Sequence, residues 1–174
     1  MDFLIHHMLR SSAERSPDKE AMVCGDTRLC YRKAWEHVCG LAAGLRKLGM
    51  ERGDRVGVYM EPSVTQALSI FGIARAGGVF VPINEVLFPE QVAHIANDCR
   101  MRGLITSQAR VGRLQEALGV TNTVDFVVVV TTEDPLPAFK VETRRFEDIA
   151  GETPPSAWRE ESIEKDLAAL IYTQ

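Results

Sequence analysis

With 174 residues, 45% of them apolar and 25% charged, the chain is long enough for one domain with a proper hydrophobic core, and its composition excludes general disorder. A formal charge of −4 gives no electrostatic footprint for nucleic acid. Cys24, Cys30, Cys39 and Cys99 form no C-x-x-C pair, which argues against a disulfide framework or zinc site and for reduced thiols in the cytoplasm.

In chain order, Leu4, Ile5, Met8 and Leu9 recur at helical spacing and predict a short amphipathic helix ending near Ser16-Pro17. No cationic leader precedes an apolar stretch, and no apolar run is long enough for a membrane span, so the expectation is a soluble protein. Residues 21–24 and 28–31 flank Gly25-Asp26-Thr27 and predict a hairpin. Ala34, Val38, Leu41, Leu45 and Leu48 make the clearest helical stripe, with Gly49 placed as its C′ residue. The chain then alternates. It reads as strand 55–60, helix Val64–Ala76, a stop at Gly77-Gly78 and strand 79–83. A helix opened by Pro89 follows, with Val92, Ile95, Ala96 and Cys99 inward, then strand 103–106, helix 111–118 and strand Phe126–Val130.

Strands alternating with helices, several of them apolar throughout, predict an α/β fold: a mostly parallel sheet with helices on both faces and a short amino-terminal hairpin. Residues 131–165 read as a loop-rich connection carrying one short helix, Phe146–Ala150. Residues 166–174 read as a final strand, whose apolar run 167–171 predicts burial inside the sheet. The expected division is therefore a core, 1–130, a connection, 131–165, and a terminal strand, 166–174.

Familiar catalytic signatures are missing. There is no G-x-G-x-x-G, no G-x-x-x-x-G-K-[ST] and no G-x-S-x-G. His94 and Asp98, four apart on a predicted helix, can reach each other across one turn, but a solvated face is the better reading. Cys99 falls on an apolar stripe, which favours core packing over a reactive thiol. His6 and His7 have no carboxylate or cysteine cluster beside them, so a flexible terminus is expected in preference to a metal site. Gly77-Gly78 predicts a tight helix-to-strand turn, and Pro82 places the following strand at an edge or near its end. No residue within the chain is assigned as catalytic or metal-binding.

Six stretches then stand in a suggestive order: Leu29-Cys30-Tyr31, Gly53-Asp54-Arg55-Val56, Arg75-Ala76-Gly77-Gly78-Val79-Phe80-Val81-Pro82-Ile83-Asn84, Pro89-Glu90-Gln91-Val92, Asn97-Asp98-Cys99 and residues 166–173. In that order they resemble the amino-terminal part of the AMP-forming acyl-CoA synthetases, within the adenylate-forming superfamily that includes luciferases and peptide-synthetase adenylation domains. The third stretch is similar to the family's Lys-Ala-Gly-Ala-Val-Tyr-Val-Pro-Leu-Asp/Asn element. The last is similar to the strand entering Tyr-Thr-Ser-Gly-[Ser/Thr]-Thr-Gly-x-Pro-Lys-Gly. Asn84 in place of Asp looks closer to acyl-CoA ligases than to amino-acid-activating domains, whereas Glu85 departs from the usual proline.

The resemblance implies a two-step reaction: a carboxylate attacks the α-phosphate of Mg-ATP, giving an acyl-adenylate and pyrophosphate, and coenzyme A then displaces AMP. It also implies that Thr173 begins the ATP phosphate loop, with Gln174 where the family has Ser. The adenine, ribose and lysine segments lie further on in the family. The expectation is a fragment of an acid–CoA ligase of fatty acid metabolism. ATP, Mg²⁺ and coenzyme A serve the parent enzyme, the fragment is inactive and binds none of them tightly, and its exposed face invites self-association. The alternatives are a non-enzymatic α/β interaction module, a fragment of an amino-acid-activating adenylation domain, and a nucleotide-binding regulatory domain of flavodoxin-like topology. The last requires an acidic cluster or phosphate loop at a strand end, and neither is evident in the sequence.

Overall fold

Apolar stripes at three- and four-residue spacing become helices, and the clearest of them end where a glycine allows it. The computed structural model describes residues 4–119 and 121–173. Its elements run α1 (Ile5–Arg15), β1 (Glu20–Cys24), β2 (Thr27–Cys30), α2 (Tyr31–Lys47), β3 (Arg55–Tyr59), α3 (Val64–Ala76) and β4 (Val79–Pro82). They continue with α4 (Pro89–Asp98), β5 (Met101–Ser107), α5 (Gln108–Leu118), β6 (Phe126–Val130), β7 (Glu142–Arg145) and α6 (Phe146–Ala150).

Gly49, at φ 84°, closes α2: its N–H donates to the Arg46 carbonyl at 3.0 Å, and the Met50 N–H donates to the Leu45 carbonyl at 3.2 Å. That pair of bonds is a Schellman motif, and the positive φ is what glycine supplies without a Cβ penalty. α3 starts where the Ser63 hydroxyl accepts the Gln66 N–H at 3.1 Å and stops at Gly77, φ 97°. Pro89 opens α4 at its first turn, and the Gln91 side chain accepts the Phe88 N–H at 2.9 Å.

Five strands form one parallel sheet in the order β4-β3-β5-β6-β7, and β1 and β2 form a separate antiparallel hairpin. Strand residues alternate between two buried clusters. Val56, Val58, Ile105, Phe126 and Val128 pack with α1, α2, α3 and α6 on one face. Tyr59, Leu104, Val127 and Val129 pack with α4 and α5 on the other. The four consecutive valines of β6 thus serve both faces, each fully buried apolar side chain contributing about 1.5–3 kcal/mol.

Close approach of α6 to α2 depends on two glycines. A Cβ on Gly40 would lie 1.9 Å from the Ala150 carbonyl oxygen, and one on Gly44 would lie 2.5 Å from that of Ile149. Beyond α6 the chain crosses the α1–α3 layer as a strap. The Arg46 guanidinium lies 4.1 Å from the Trp158 ring centre, and that of Arg75 lies 4.6 Å from Trp158 and 4.5 Å from Trp35. Among the described residues, no helix is long and apolar enough to cross a membrane.

Two expectations need correction. β7 was not foreseen: its sequence, Glu-Thr-Arg-Arg, lacks apolar alternation because it is an edge strand, joined to the sheet by β6 alone. The final run is not an interior strand. A single bridge, Phe80 with Ala169, joins it to β4, while Leu167 and Ile171 are 64% and 73% exposed. The five apolar residues read as burial on both faces, but they lie at the open edge of the sheet, where only part of the run packs.

Candidate functional site

The strand order decides where a site can form. From β3 the chain moves outward to β4, then crosses back over β3 to β5, so successive crossovers diverge at the β3/β5 boundary. In open α/β sheets, ligands bind outside the carboxyl ends of the strands at such a switch point.

A cavity of about 340 Å³ opens there, lined by Tyr59, Glu61, Glu85, Val86, Leu87, Phe88, Ala109 and Arg110. Glu61 follows β3, Glu85 follows β4, and Arg110 stands in the first turn of α5. The Arg110 Nε donates to Glu61 at 2.9 Å, while its terminal nitrogens reach the Glu85 carbonyl at 3.0 Å and carboxylate at 3.3 Å. Ser107 sits at the N-cap of α5, yet it gives its hydroxyl to Glu61 at 2.7 Å. The buried Thr106 hydroxyl donates to the Tyr59 carbonyl at 2.7 Å, and the Tyr59 hydroxyl donates to the Leu87 carbonyl at 2.8 Å. Burial pushes the Glu61 carboxyl upward, but its own backbone amide, Ser107 and Arg110 outweigh this and hold it below the usual carboxylate range. The crevice is therefore a pre-organised polar pocket with its charges already paired.

Contrary to the sequence expectation of no acidic cluster at a strand end, Glu61 and Glu85 stand just beyond β3 and β4. The signal was available: the residue following each predicted strand is the one a parallel sheet brings to its carboxyl edge.

The other candidates fall elsewhere. Thr173 is exposed, outside any strand or helix, and Gln174 lies outside the described residues. His94 is exposed, and the Asp98 carboxylate takes its bond from the Tyr172 hydroxyl at 2.5 Å, which places the pair on a solvated face as expected. Burial and the Asp98 acceptor push the Tyr172 hydroxyl well above its ordinary value. Cys99 is buried at 9% exposure, and burial pushes its thiol up, away from thiolate chemistry.

His6 overturns the flexible-terminus reading. It is 1% exposed inside α1, and its Nε2 lies 2.8 Å from a Glu160 carboxylate oxygen. The carboxylate that seemed absent comes from the strap, far away in sequence. Burial, His6 and Arg10 lower the neighbouring His7. Burial pushes the Glu160 carboxyl upward, but the bond and charge of His6, the Ser162 backbone amide and His7 together outweigh it and hold Glu160 below the usual carboxylate range.

A family model described as AMP-binding enzyme matches residues 9–173. The N-(5-amino-5-carboxypentanoyl)-L-cysteinyl-D-valine synthase of Amycolatopsis lactamdurans is 31% identical over 120 residues, which is 68% of this chain and 3% of that protein. Coronafacic Acid Ligase from Pectobacterium brasiliense superposes with a TM-score of 0.88 over 99% of this chain and 33% of its own, at 16% identity, a likeness of fold. An anthranilate CoA ligase in complex with anthranoyl-AMP superposes with a TM-score of 0.87 over 98% of this chain and 32% of its own, at 25% identity. The chain thus spans about a third of these two ligases and a small part of the synthase.

Proposed function

The chain belongs to the AMP-binding enzyme family, and on that premise we propose that it corresponds to the amino-terminal part of an AMP-forming acid–CoA ligase. In the proposed reaction a carboxylate oxygen bonds to the α-phosphorus of ATP as the bond to pyrophosphate breaks. The coenzyme A sulfur then bonds to the acyl carbon, AMP leaves, and the thiol proton passes to solvent. The observation that carries this reading is the likeness to the anthranilate CoA ligase over almost the whole chain. Asn84, the residue by which the resemblance leans toward ligases, accepts the Val86 N–H at 3.2 Å and shapes the loop over the crevice, a bond that an aspartate would accept equally.

The described residues do not themselves fit Mg-ATP. The crevice offers one guanidinium, already shared between Glu61 and Glu85, so neither a free cation for phosphate nor an uncommitted carboxylate for Mg²⁺ stands there. No reaction step is therefore assigned to residues of this chain. Their part is to build the sheet, hold the 84–88 loop and present one wall of a cleft. Thr173 is proposed as the first residue of the phosphate loop, and the four free thiols favour a reducing, cytoplasmic setting.

A second reading, an amino-acid-activating domain, is favoured by the 31% identity to the valine-containing peptide synthase. Two assays separate them: acid-dependent ATP–pyrophosphate exchange and coenzyme A-dependent AMP release, run on the chain together with whatever its coding sequence specifies after residue 174. Coenzyme A-dependent turnover of an acid lacking an amino group is expected. Exchange with amino acids and no response to coenzyme A refutes the ligase reading. The 174 residues alone are expected to show no exchange above background.

A further inference from the structure

One cluster of possible metal ligands lies outside the crevice. His6 and His7 occupy the first turn of α1, and Glu160 comes from the strap. The Glu160 Oε2 lies 2.8 Å from the His6 Nε2 and 3.6 Å from the His7 Nε2, and one donor atom from each residue falls within a common 4.8 Å. The two rings meet edge to face with centres 4.7 Å apart. The Nδ1 atoms of both histidines are buried without a hydrogen-bond partner, although His6 is 1% exposed. The two Nε2 atoms and the Glu160 Oε2 already converge, and two imidazoles with a carboxylate form a ligand set in which each Nδ1 would carry the ring proton.

We propose that His6, His7 and Glu160 bind a divalent transition-metal ion of the zinc class, which ties α1 to the strap. Bonds of about 2.0–2.1 Å in a tetrahedron place ligand atoms roughly 3.3 Å apart, so the two observed spacings need change by only about half an ångström. Imidazole selects zinc, cobalt, nickel or copper over magnesium and calcium, which prefer all-oxygen shells. Three protein ligands leave a fourth position for water. Arg10, Arg46 and the buried Arg75 stand nearby and oppose a cation; Arg10 and Arg46 each face a carboxylate, Glu14 at 3.9 Å and Glu161 at 3.8 Å, while Arg75 lies against the Trp35 and Trp158 rings. The ion joins segments 154 residues apart in the chain, the strap being the element that also carries Trp158 and Asp166. Its role here is structural.

The test is titration of the purified chain with Zn²⁺ by calorimetry and with Co²⁺ by visible absorption. Expected are one tight equivalent, a tetrahedral Co²⁺ spectrum without thiolate charge transfer, and a thermal midpoint raised by saturating Zn²⁺. Glu160→Gln retains the bond to His6 yet should weaken Zn²⁺ binding at least about tenfold. His7→Gln should do the same, and it covers the chance that buried His6 tolerates no change. His37→Gln with His94→Gln, both exposed positions, should leave the tight site intact. Equal affinity in wild type and Glu160→Gln, a thiolate spectrum, or loss of binding in the His37/His94 variant overturns the proposal and leaves a simple histidine–glutamate pair.

Discussion

Gly40→Ala offers the sharpest test of the packing, because helix propensity and tertiary contact predict opposite signs. In an exposed helix, Gly→Ala gains about 1 kcal/mol. At Gly40 the new Cβ would lie 1.9 Å from the Ala150 carbonyl oxygen, 2.9 Å from its carbon and 3.1 Å from the Glu152 oxygen. These are backbone atoms and cannot rotate away. α6 must retreat by more than an ångström, loosening Phe146 and Ile149, which are 4% and 5% exposed. Overpacking of this kind costs about 1–3 kcal/mol, and a backbone clash belongs at or beyond the upper end, so a net loss of about 2 kcal/mol remains after the propensity gain. Gly112 in α5 is the matched control, since a Cβ there meets nothing within 4 Å. Gly112→Ala should therefore gain about 1 kcal/mol. At about 2–4 °C per kcal/mol for a domain of this size, the two variants should melt about 6–12 °C apart, on either side of wild type. Thermal and urea unfolding followed by circular dichroism measure this. A Gly40→Ala protein as stable as wild type would refute the close approach of α2 and α6.

Two further outcomes follow from charged groups. The Glu61 carboxyl is held below its unfolded value, so its contribution is present above about pH 4.5 and lost as pH falls through the folded value; at partial exposure it amounts to less than about 1 kcal/mol. Urea midpoints of wild type and Glu61→Gln should differ at pH 7 and converge as pH falls below the unfolded carboxylate range; a gap independent of pH argues against the Ser107–Glu61–Arg110 arrangement. Arg52 holds Asp166 through two bonds of 2.8 and 2.7 Å, so Arg52→Ala should speed hydrogen exchange at the Leu170 amide, bonded to the Phe80 carbonyl at 3.1 Å, with little change in global melting. Unchanged exchange there would mean that the terminal run is held by other contacts.

What the sequence disclosed, and what it hid, follows from the range of the forces involved. The limits of α3 and α6 were readable because their determinants are local: apolar spacing, and for α3 a serine before it and a glycine after it. The Gly49 stop was readable for the same reason. The Arg110 cluster was hidden because Glu61, Glu85 and Ser107 meet only through sheet order, each following or ending a different strand. His6 was hidden because its partner comes from the far end of the chain, and a histidine near a terminus carries no local sign of burial. The last run misled because apolar content reports a wish to be buried, without saying whether a neighbour is there to satisfy it.

That last run also shows how the chain manages an open edge. One parallel bridge to Phe80 cannot hold eight residues, so polar contacts secure both ends: Asp166 on Arg52 before the bridge, Tyr172 on Asp98 after it. Between them Leu167 and Ile171 face outward, and Val86 and Phe88 after β4 are exposed at 68% and 65%. Most of the large exposed apolar side chains thus belong to the terminal segments and to the loop over the crevice, while the crevice's own charges are mutually satisfied. A surface so divided has an unmet apolar requirement along one edge and a finished polar wall beside it. This supports the proposed role as one side of a larger cleft.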